Sequence, residues 1–400
     1  MTGSAEDYVA KARALMPLAR ECADEADRER RLPKRLVDAM ASAKLYRVAA
    51  PRSVGGGETH PFEQIRVIEA LSEADGAAGW NLMIGIENLG FLGPALAPDV
   101  ATRIYGDPGL VVAGALNPLG RADPVDGGFR VTGQWPFGSG CQNAQYFWGQ
   151  CIVYDGDTPA RDENGGVVLR EALVPSSEFE VLDTWHVSGL RGSGSHDVAV
   201  RDVLVPEERM TAVMRRRPHA SGPLFRLPPF SRLAYNKVGV ATGIARAAID
   251  HFVHLASQKT PRASARLLRD RPTAQIAVAD AEAALRSARA FVFEAVGDMW
   301  DASVAKRPIS RELRALVQLA CSHAASAAVR AVEGVHAAAG ATANFTSSPL
   351  ERCFRDVQVV RQHIMVSPQW TLSAGRVLLG LDANSPLLDA GGIWDDPSQS

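Results

Sequence analysis

The sequence predicts an α+β protein with an N-terminal helical domain, a middle antiparallel β-barrel domain and a C-terminal four-helix bundle. Apolar residues recur at helical spacing up to residue 108 and again after residue 234. Between these parts, β-branched and aromatic runs alternate with turn signals. Chain boundaries are expected as follows: helical domain 1–108, β domain 109–212, linker 213–234, bundle 235–385 and tail 386–400.

Four helices are predicted in the N-terminal part. The first covers residues 4–30, with Ser4 and Asp7 resembling a capping box and Pro17 as the site of a kink. The others are predicted over 34–43, 61–74 and 98–105, where proline and glycine residues separate the periodic segments.

The β domain is predicted from consecutive strand-like runs such as VVAGAL, GFRVTGQWPF and YFWGQCIVYD. Because no helical segments come between these runs, they favour an antiparallel barrel or sandwich over a parallel dinucleotide-binding sheet. Four long alanine-rich helices then follow, and their short connections are typical of an antiparallel bundle. They are predicted over 235–257, 273–302, 310–339 and 349–379.

Composition excludes several classes of protein. The 400 residues are 46% hydrophobic and 22% charged, which is typical of a folded globular protein. A net charge of -2 without a long basic tract argues against nucleic-acid binding. Five irregularly spaced cysteines are expected to be reduced thiols. Because neither a signal peptide nor a membrane-length apolar run is found, we expect a cytoplasmic protein without a membrane partner.

The sequence lacks the common catalytic and phosphate-binding motifs. It contains no GxxxxGK phosphate loop, no HExxH zinc helix, no GxSxG elbow and no GxGxxG after a strand. His251 and His254 lie three residues apart on a predicted helix, but no acidic ligand motif accompanies them. No metal site is therefore predicted.

Two glycine- and serine-containing segments in the β domain are candidate ligand sites. The first, 135–140, joins two aromatic rings to a Ser-Gly turn, which suits a planar ring with polar edges. The second, 185–197, could bring backbone and hydroxyl groups close to a cofactor. Taken alone, either segment is equally a packed β-turn or a strand connection.

Taken in order, five segments resemble the acyl-CoA dehydrogenase superfamily along nearly the whole chain. They are the Pro51 loop with its three glycines, GGFRVTGQWPFGSG, GLRGSGSHDVAVRDVLVPEER, GVATGIARAAID and SSPLERCFRDVQ. The resemblance implies a helical domain, a β-barrel and a four-helix bundle, and it implies flavin chemistry.

The dehydrogenase base has no counterpart here. Aligning Arg355-Asp356 with the R-D motif of that superfamily puts Ile364 at the position of the usual glutamate, and residues 226–246 contain no acid at the other known base position. His363 stands next to Ile364. This pattern is similar to the branch of two-component flavin-dependent monooxygenases, the group D aromatic hydroxylases.

That branch implies the reaction and its partners. A separate NAD(P)H-dependent flavin reductase would deliver reduced flavin, either FADH2 or FMNH2, which forms a C4a-hydroperoxide with O2. The R-x-x-F-G segment that holds FAD in dehydrogenases is missing over 260–275, which favours a loosely held, diffusible flavin. The resemblance also implies a homotetramer assembled through the bundle.

Site residues follow from the same resemblance. His363 would act on the substrate as a base or hydrogen-bond partner, since imidazole titrates near neutral pH. Ser139 would hydrogen-bond the flavin near N5. The full set of expected flavin contacts is Trp135, Phe137, Ser139, Arg191, Ser193 and Ser195.

We therefore expect an oxygenase that hydroxylates a small organic substrate, either aromatic or amine-bearing. Two alternatives remain open at this point. An acyl-CoA dehydrogenase or flavin oxidase with a displaced base would place a carboxylate against the flavin. A non-catalytic ligand-binding member of the fold would fill the pocket beside His363 with side chains.

Overall fold

The computed structural model describes residues 7–213 and 218–389. Five helices form the N-terminal part, and the helices predicted over 34–43, 61–74 and 98–105 are confirmed as the second, third and fifth. Their bounds are α1 Tyr8–Glu29, α2 Lys34–Ser42, α3 Pro61–Ser72, α4 Gly76–Ala95 and α5 Pro98–Tyr105.

Helix α1 begins at Tyr8, later than the predicted start at residue 4, and its cap is Asp7. The Asp7 carboxylate accepts a hydrogen bond from the Ala10 backbone N–H at 2.9 Å, and Ser4 lies outside the described residues. Pro17 lies inside the helix without ending it. The cap satisfies one of the four N–H groups that a helix start leaves without partners.

Helix α4 was not predicted, and it is the central helix of the fold. Nearly all of its residues are buried, and it packs against α3, α6 and the sheet. A helix that is apolar on every side has no amphipathic period, so a search for one-sided patterns misses it. Asp75 caps its start by accepting from the Ala78 N–H at 2.8 Å.

Eight strands form one sheet with a small flap. The strand order is β6-β7-β2-β1-β3-β5-β8, and β4 pairs with β3 alone. The bounds are β1 Val112–Val125, β2 Gly128–Trp135, β3 Tyr146–Asp155, β4 Thr158–Pro159, β5 Leu169–Pro175, β6 Glu180–Leu182, β7 Asp197–Pro206 and β8 Met210–Thr211.

The sheet is mixed, which corrects the expectation of a wholly antiparallel one. Strands β1 and β3 run parallel, whereas the other pairs are antiparallel. The reason is the position of β2, which turns back from β1 and lies between β1 and β7. Strand β3 must then use the other edge of β1 and runs in the same direction.

The C-terminal part holds three long helices and a fourth, broken one. Helix α6 begins at Pro229 rather than near 235, since proline suits the first turn of a helix. Residues 214–217 of the predicted linker and 390–400 of the predicted tail lie outside the described residues. The bounds are α6 Pro229–Gln258, α7 Pro272–Val304, α8 Arg311–Ala339, α9 Pro349–Gln362, α10 Gln369–Leu378 and α11 Pro386–Asp389.

The expectation of one continuous helix over 349–379 is wrong. Helix α9 ends at Gln362, and His363 adopts an extended backbone with φ −64° and ψ 133°. A short 3-10 turn follows over Ile364–Val366, and α10 starts after Pro368. Because a residue that precedes proline is disfavoured in the helical region, Ser367 could not have continued the helix.

Helix α8 is long and apolar enough, by length and composition, to cross a membrane. Together with the 3-10 turn that follows it, α8 forms the stretch Arg311–Asn344, the one helical stretch of the described ranges with this property, and 72% of its most apolar window is buried within the protein. A buried core helix has the same composition, and α8 packs against α6, α7 and α9. All five cysteines are unpaired, as expected for reduced thiols.

A buried carboxyl joins the bundle to the β domain. Asp356 on α9 accepts a hydrogen bond at 2.6 Å from the backbone N–H of Leu190, which precedes β7. Burial, together with the nearby Asp75 carboxylate, raises the pKa of Asp356 to about 7, although the Leu190 N–H, Arg355 and Arg352 oppose the shift. This carboxyl is therefore protonated in the folded protein over a range where it ionises in the unfolded chain.

We expect Asp356→Asn to remove a pH-dependent part of the stability. Between about pH 4 and pH 7 the folded state binds the extra proton, so its stabilising contribution is lost as the pH rises toward 7. The free energy of unfolding of the variant, measured relative to wild type, should therefore increase on the order of 2–3 kcal/mol from pH 5 to pH 8. Urea unfolding of both proteins at pH 5 and pH 8 measures this change. The same difference in unfolding free energy between variant and wild type at both pH values would contradict the raised pKa.

Candidate active site

The two candidate segments of the β domain meet through a chain of serine hydroxyls. Ser139 Oγ lies 2.6 Å from Ser195 Oγ, which in turn lies 2.7 Å from Ser193 Oγ. The Gly140 backbone N–H also donates to the Ser193 carbonyl at 3.0 Å. All three serines are buried. The structure thus brings together three of the residues expected to contact flavin.

Helix α4 supplies the next members of this cluster. The Trp80 indole Nε1–H donates to Ser139 Oγ at 3.0 Å, and Asn81 Nδ2 donates to the Ser193 carbonyl at 3.3 Å. Sequence reasoning missed both residues because it missed their helix. Their one sequence signal is the pair Trp80-Asn81 inside the segment 76–95, which is apolar apart from Asn81, Glu87 and Asn88.

His363 reaches the same cluster through the break after α9. Its ring centroid lies 5.6 Å from that of Trp80, with the rings tilted by 63° in an edge-on arrangement. Its Nδ1 accepts a hydrogen bond from the Met365 backbone N–H at 3.2 Å and so caps the short turn that follows. The break that sequence periodicity did not predict is what positions this side chain.

The protonation state of His363 follows from its surroundings. Burial lowers its pKa well below the usual value, and the positive charge of Lys237 lowers it further. The ring is therefore neutral at pH 7. Since Nδ1 accepts from a backbone N–H, the single ring proton resides on Nε2. His363 can donate a hydrogen bond from Nε2 without any change in protonation.

Phe137 is an exposed aromatic residue in a strained conformation. Its φ is +64°, in the left-handed region, and its side chain is 67% exposed. Its ring meets that of Trp185 edge-on with centroids 6.2 Å apart. Strained residues of this kind cluster at functional sites, so Phe137 remains a candidate wall of the cleft next to Ser139.

The structure does not bring Trp135 and Arg191 into the serine cluster. The Trp135 indole is fully buried among sheet residues, where it donates to the Gln150 carbonyl at 2.7 Å. Arg191 points to Asp27 on α1, with 3.7 Å between Nη1 and Oδ2. The ring fits there because three neighbouring residues are glycines: a side chain at Gly120, Gly133 or Gly149 would clash with it.

A buried ion pair crosses from α4 to α6 in the same layer. Glu87 accepts from Lys237, and both side chains are almost fully buried. Burial raises the pKa of Glu87 and lowers that of Lys237, so the pair is electrically neutral whichever residue holds the proton. Glu87 is therefore committed to Lys237, which does not favour it as a displaced dehydrogenase base.

The serine chain suits the edge of a flavin. Three hydroxyl groups carry three hydrogens, and the two bonds between them use two. One hydrogen is left over at an end of the chain. Because the Trp80 N–H already occupies one acceptor site of Ser139, the chain can be ordered so that Ser139 donates outward. Such a buried hydroxyl, which can donate or accept, would be able to hydrogen-bond the edge of the implied reduced flavin.

Comparisons with known proteins agree with this architecture. Residues 5–96 match the family described as "Acyl-CoA dehydrogenase, N-terminal domain", and residues 236–368 match "Acyl-CoA dehydrogenase, C-terminal domain". The chain is similar to the indole-3-acetate monooxygenase of Pseudomonas putida, with 37% identity over 89% of either chain. It is also similar to the FADH2-dependent resorcinol hydroxylase, oxygenase component, of a Rhizobium species, with 29% identity over 94% of either chain.

A solved structure supports the same assignment. The Streptomyces protein XiaF, in complex with FADH2 and glycerol, matches with a TM-score of 0.86 and 26% identity, over 95% of this chain and 96% of that one. An oxygenase component receives its reduced flavin from a separate flavin reductase. The chain belongs to the acyl-CoA dehydrogenase superfamily and is an oxygenase component of a flavin-dependent monooxygenase that uses reduced flavin.

Proposed function

We propose that this oxygenase hydroxylates a small aromatic molecule, with His363 and Ser139 as its catalytic residues. The Trp80–Ser139 hydrogen bond, with the neutral His363 ring packed edge-on against Trp80, carries this proposal. Bound reduced flavin supplies two electrons and activates O2. One oxygen atom enters the substrate C–H bond, and the other leaves as water.

His363 acts as a hydrogen-bond donor in this proposal. Its Nε2–H can bond an oxygen of the substrate or the activated oxygen, while Nδ1 stays with the Met365 N–H. Removing a proton from substrate would require Nδ1 to give up that bond. The lowered pKa of His363 also disfavours the charged ring that such a step creates.

Ser139 holds the flavin edge in this proposal. Its hydroxyl would hydrogen-bond the flavin near N5, and Trp80 and Ser195 keep the Ser139 oxygen atom in place. Phe137 shields the ring from water, since entry of water or protons wastes the activated oxygen as hydrogen peroxide. Ser193 and Ser195 support this arrangement from behind.

The substrate class rests on the relatives and on the fold. The names of the two relatives denote an indole-3-acetate monooxygenase and a resorcinol hydroxylase, and both indole-3-acetate and resorcinol are small aromatic molecules. We propose that the present substrate is of the same class, that the reductase is NAD(P)H-dependent and that the protein works in the cytoplasm. FADH2 is the first flavin to supply, because both the resorcinol hydroxylase and the XiaF complex are described with it.

A homotetramer is proposed from apolar residues that remain exposed around α10. Leu372 is 70% exposed and Leu379 is 78% exposed, which is costly unless another surface covers them. Light scattering after gel filtration should give four times the mass of one chain. A single-chain mass would contradict the proposal.

Isotope labelling tests the function directly. Reduced FAD or FMN is generated with a flavin reductase and NADH under ¹⁸O2, and indole-3-acetate and resorcinol are offered. One ¹⁸O atom in the product is the expected result. If every arene yields hydrogen peroxide without labelled product, hydroxylation of this class is wrong. Oxidation of an acyl-CoA without O2 would restore the dehydrogenase alternative.

A further inference from the structure

Arg232 on α6 is a buried cation held between two aromatic rings. Its side chain is 5% exposed, and its guanidinium carbon lies 4.1 Å from the ring centroid of Phe91 and 5.7 Å from that of Phe225. Nη2 donates to the Gly90 carbonyl at 3.0 Å. These contacts orient the guanidinium group and leave several of its five N–H donors available.

The charge of Arg232 has no counterion within the described ranges. No described carboxylate forms an ion pair with it. The Tyr235 hydroxyl is its main electrostatic partner and stays neutral because burial raises its pKa, and Glu87, which acts on it less, pairs with Lys237. That pair is neutral, so this layer between α4 and α6 keeps an excess positive charge. An arginine remains protonated when buried, and an isolated buried charge is strongly unfavourable until an anion joins it.

A cavity opens beside this guanidinium group. Its volume is about 170 Å³, and its described lining includes Arg232 together with Phe91, Met210, His219 and Phe225. An apolar cavity of roughly 150 Å³ accommodates a benzene molecule. One charged donor among aromatic and apolar side chains, with Thr211 and His219 as the further polar residues, is a composition suited to a small acid.

The cavity and the catalytic cluster share one face of α4. Trp80, Glu87 and Phe91 are spaced by seven and four residues, which places them on the same side of a helix. Trp80 contacts Ser139, whereas Phe91 contacts Arg232. Between them, the buried Glu87 Oε1 has no hydrogen-bond partner in the described residues. This side of α4 therefore leads from the catalytic cluster at Trp80 to the Arg232 guanidinium at Phe91.

We propose that Arg232 binds the carboxylate of an aromatic acid, which makes aromatic acids the substrate class of this oxygenase. The inference rests on the proposed function for the identity of the ligand as substrate. A bidentate bond between guanidinium and carboxylate neutralises the buried charge. The aromatic part then lies against the aromatic and apolar side chains of the lining, Phe91, Phe225 and Met210.

Binding to the flavin-free protein tests this inference separately from catalysis. Titration calorimetry with indole-3-acetate and its neutral amide, indole-3-acetamide, should show tighter binding of the acid to wild type. Arg232→Gln should weaken binding of the acid on the order of 100-fold, because breaking a buried charged pair is a large loss. It should weaken binding of the amide much less, and Arg232→Lys should retain part of the preference.

Arg226→Gln is the matched control. That arginine lies six residues earlier, and its guanidinium is taken up by the Ser221 and Ser303 carbonyls. Thermal melting shows whether each variant is folded. Equal binding of acid and amide by wild type, no binding of the acid, or an equal loss of both in folded Arg232→Gln would overturn the inference. Preferential binding of the acid without any labelled product would instead support the acid site and contradict the proposed function.

Discussion

Replacing His363 with asparagine should lower product formation by about 10²–10³-fold, the usual effect of removing one donor aimed at charge that develops in a transition state. Asparagine is a good helix cap, and its side-chain oxygen can accept from the Met365 N–H as Nδ1 does. The Nε2 donor, in contrast, is lost. Reduced flavin and O2 should still be consumed, with hydrogen peroxide formed instead of product. Both are measured in one reaction by chromatography and a peroxide assay.

Two further variants separate the two nitrogens of His363. In His363→Gln the longer side chain can bring an amide donor close to the position of Nε2, so part of the product should return. His363→Ala loses the donor and the cap together and should also melt at a lower temperature. Wild-type product yield in His363→Asn would rule out the donor role. A glutamine variant as inactive as the asparagine variant would count against it as well.

Replacing Ser139 with alanine should also shift the reaction from product to hydrogen peroxide. The outward O–H donor disappears, and a loss of about 10²-fold in product formation is expected for one such donor. The Trp80 N–H also loses its acceptor in a buried place. That should destabilise the protein by about 1–3 kcal/mol, the usual result for an unsatisfied buried donor. Product, peroxide and urea unfolding are the three measurements.

Ser193→Ala is the matched control for Ser139→Ala. It removes an equally buried hydroxyl from the far end of the same chain and leaves the Ser139–Ser195 bond in place. Its effect on the product-to-peroxide ratio should be clearly smaller. Equal ratios in the two variants would mean that the chain acts as a whole and that Ser139 has no separate role.

The sequence by itself determined the features that depend on local pattern. The prolines at Pro61 and Pro98 predicted helix starts correctly, because a proline in the first turn acts on neighbouring residues only, whereas α1 is capped by Asp7 and begins at Tyr8 instead of the predicted residue 4. The aromatic and β-branched runs predicted the β domain between two helical parts. The segments around Ser139 and Ser195 carried the family resemblance, and with it the flavin and the monooxygenase function.

Only the tertiary structure decided which of those residues meet. Trp135 and Ser139 are four residues apart, yet one is packed inside the sheet and the other faces α4. Helix α4, which carries Trp80 and Glu87, could not be predicted from hydrophobic periodicity because it is buried on every side. The break at His363 and the parallel β1–β3 pair likewise arise from contacts between distant segments. Burial and charge pairing depend on such contacts, and a local pattern of residues does not contain them.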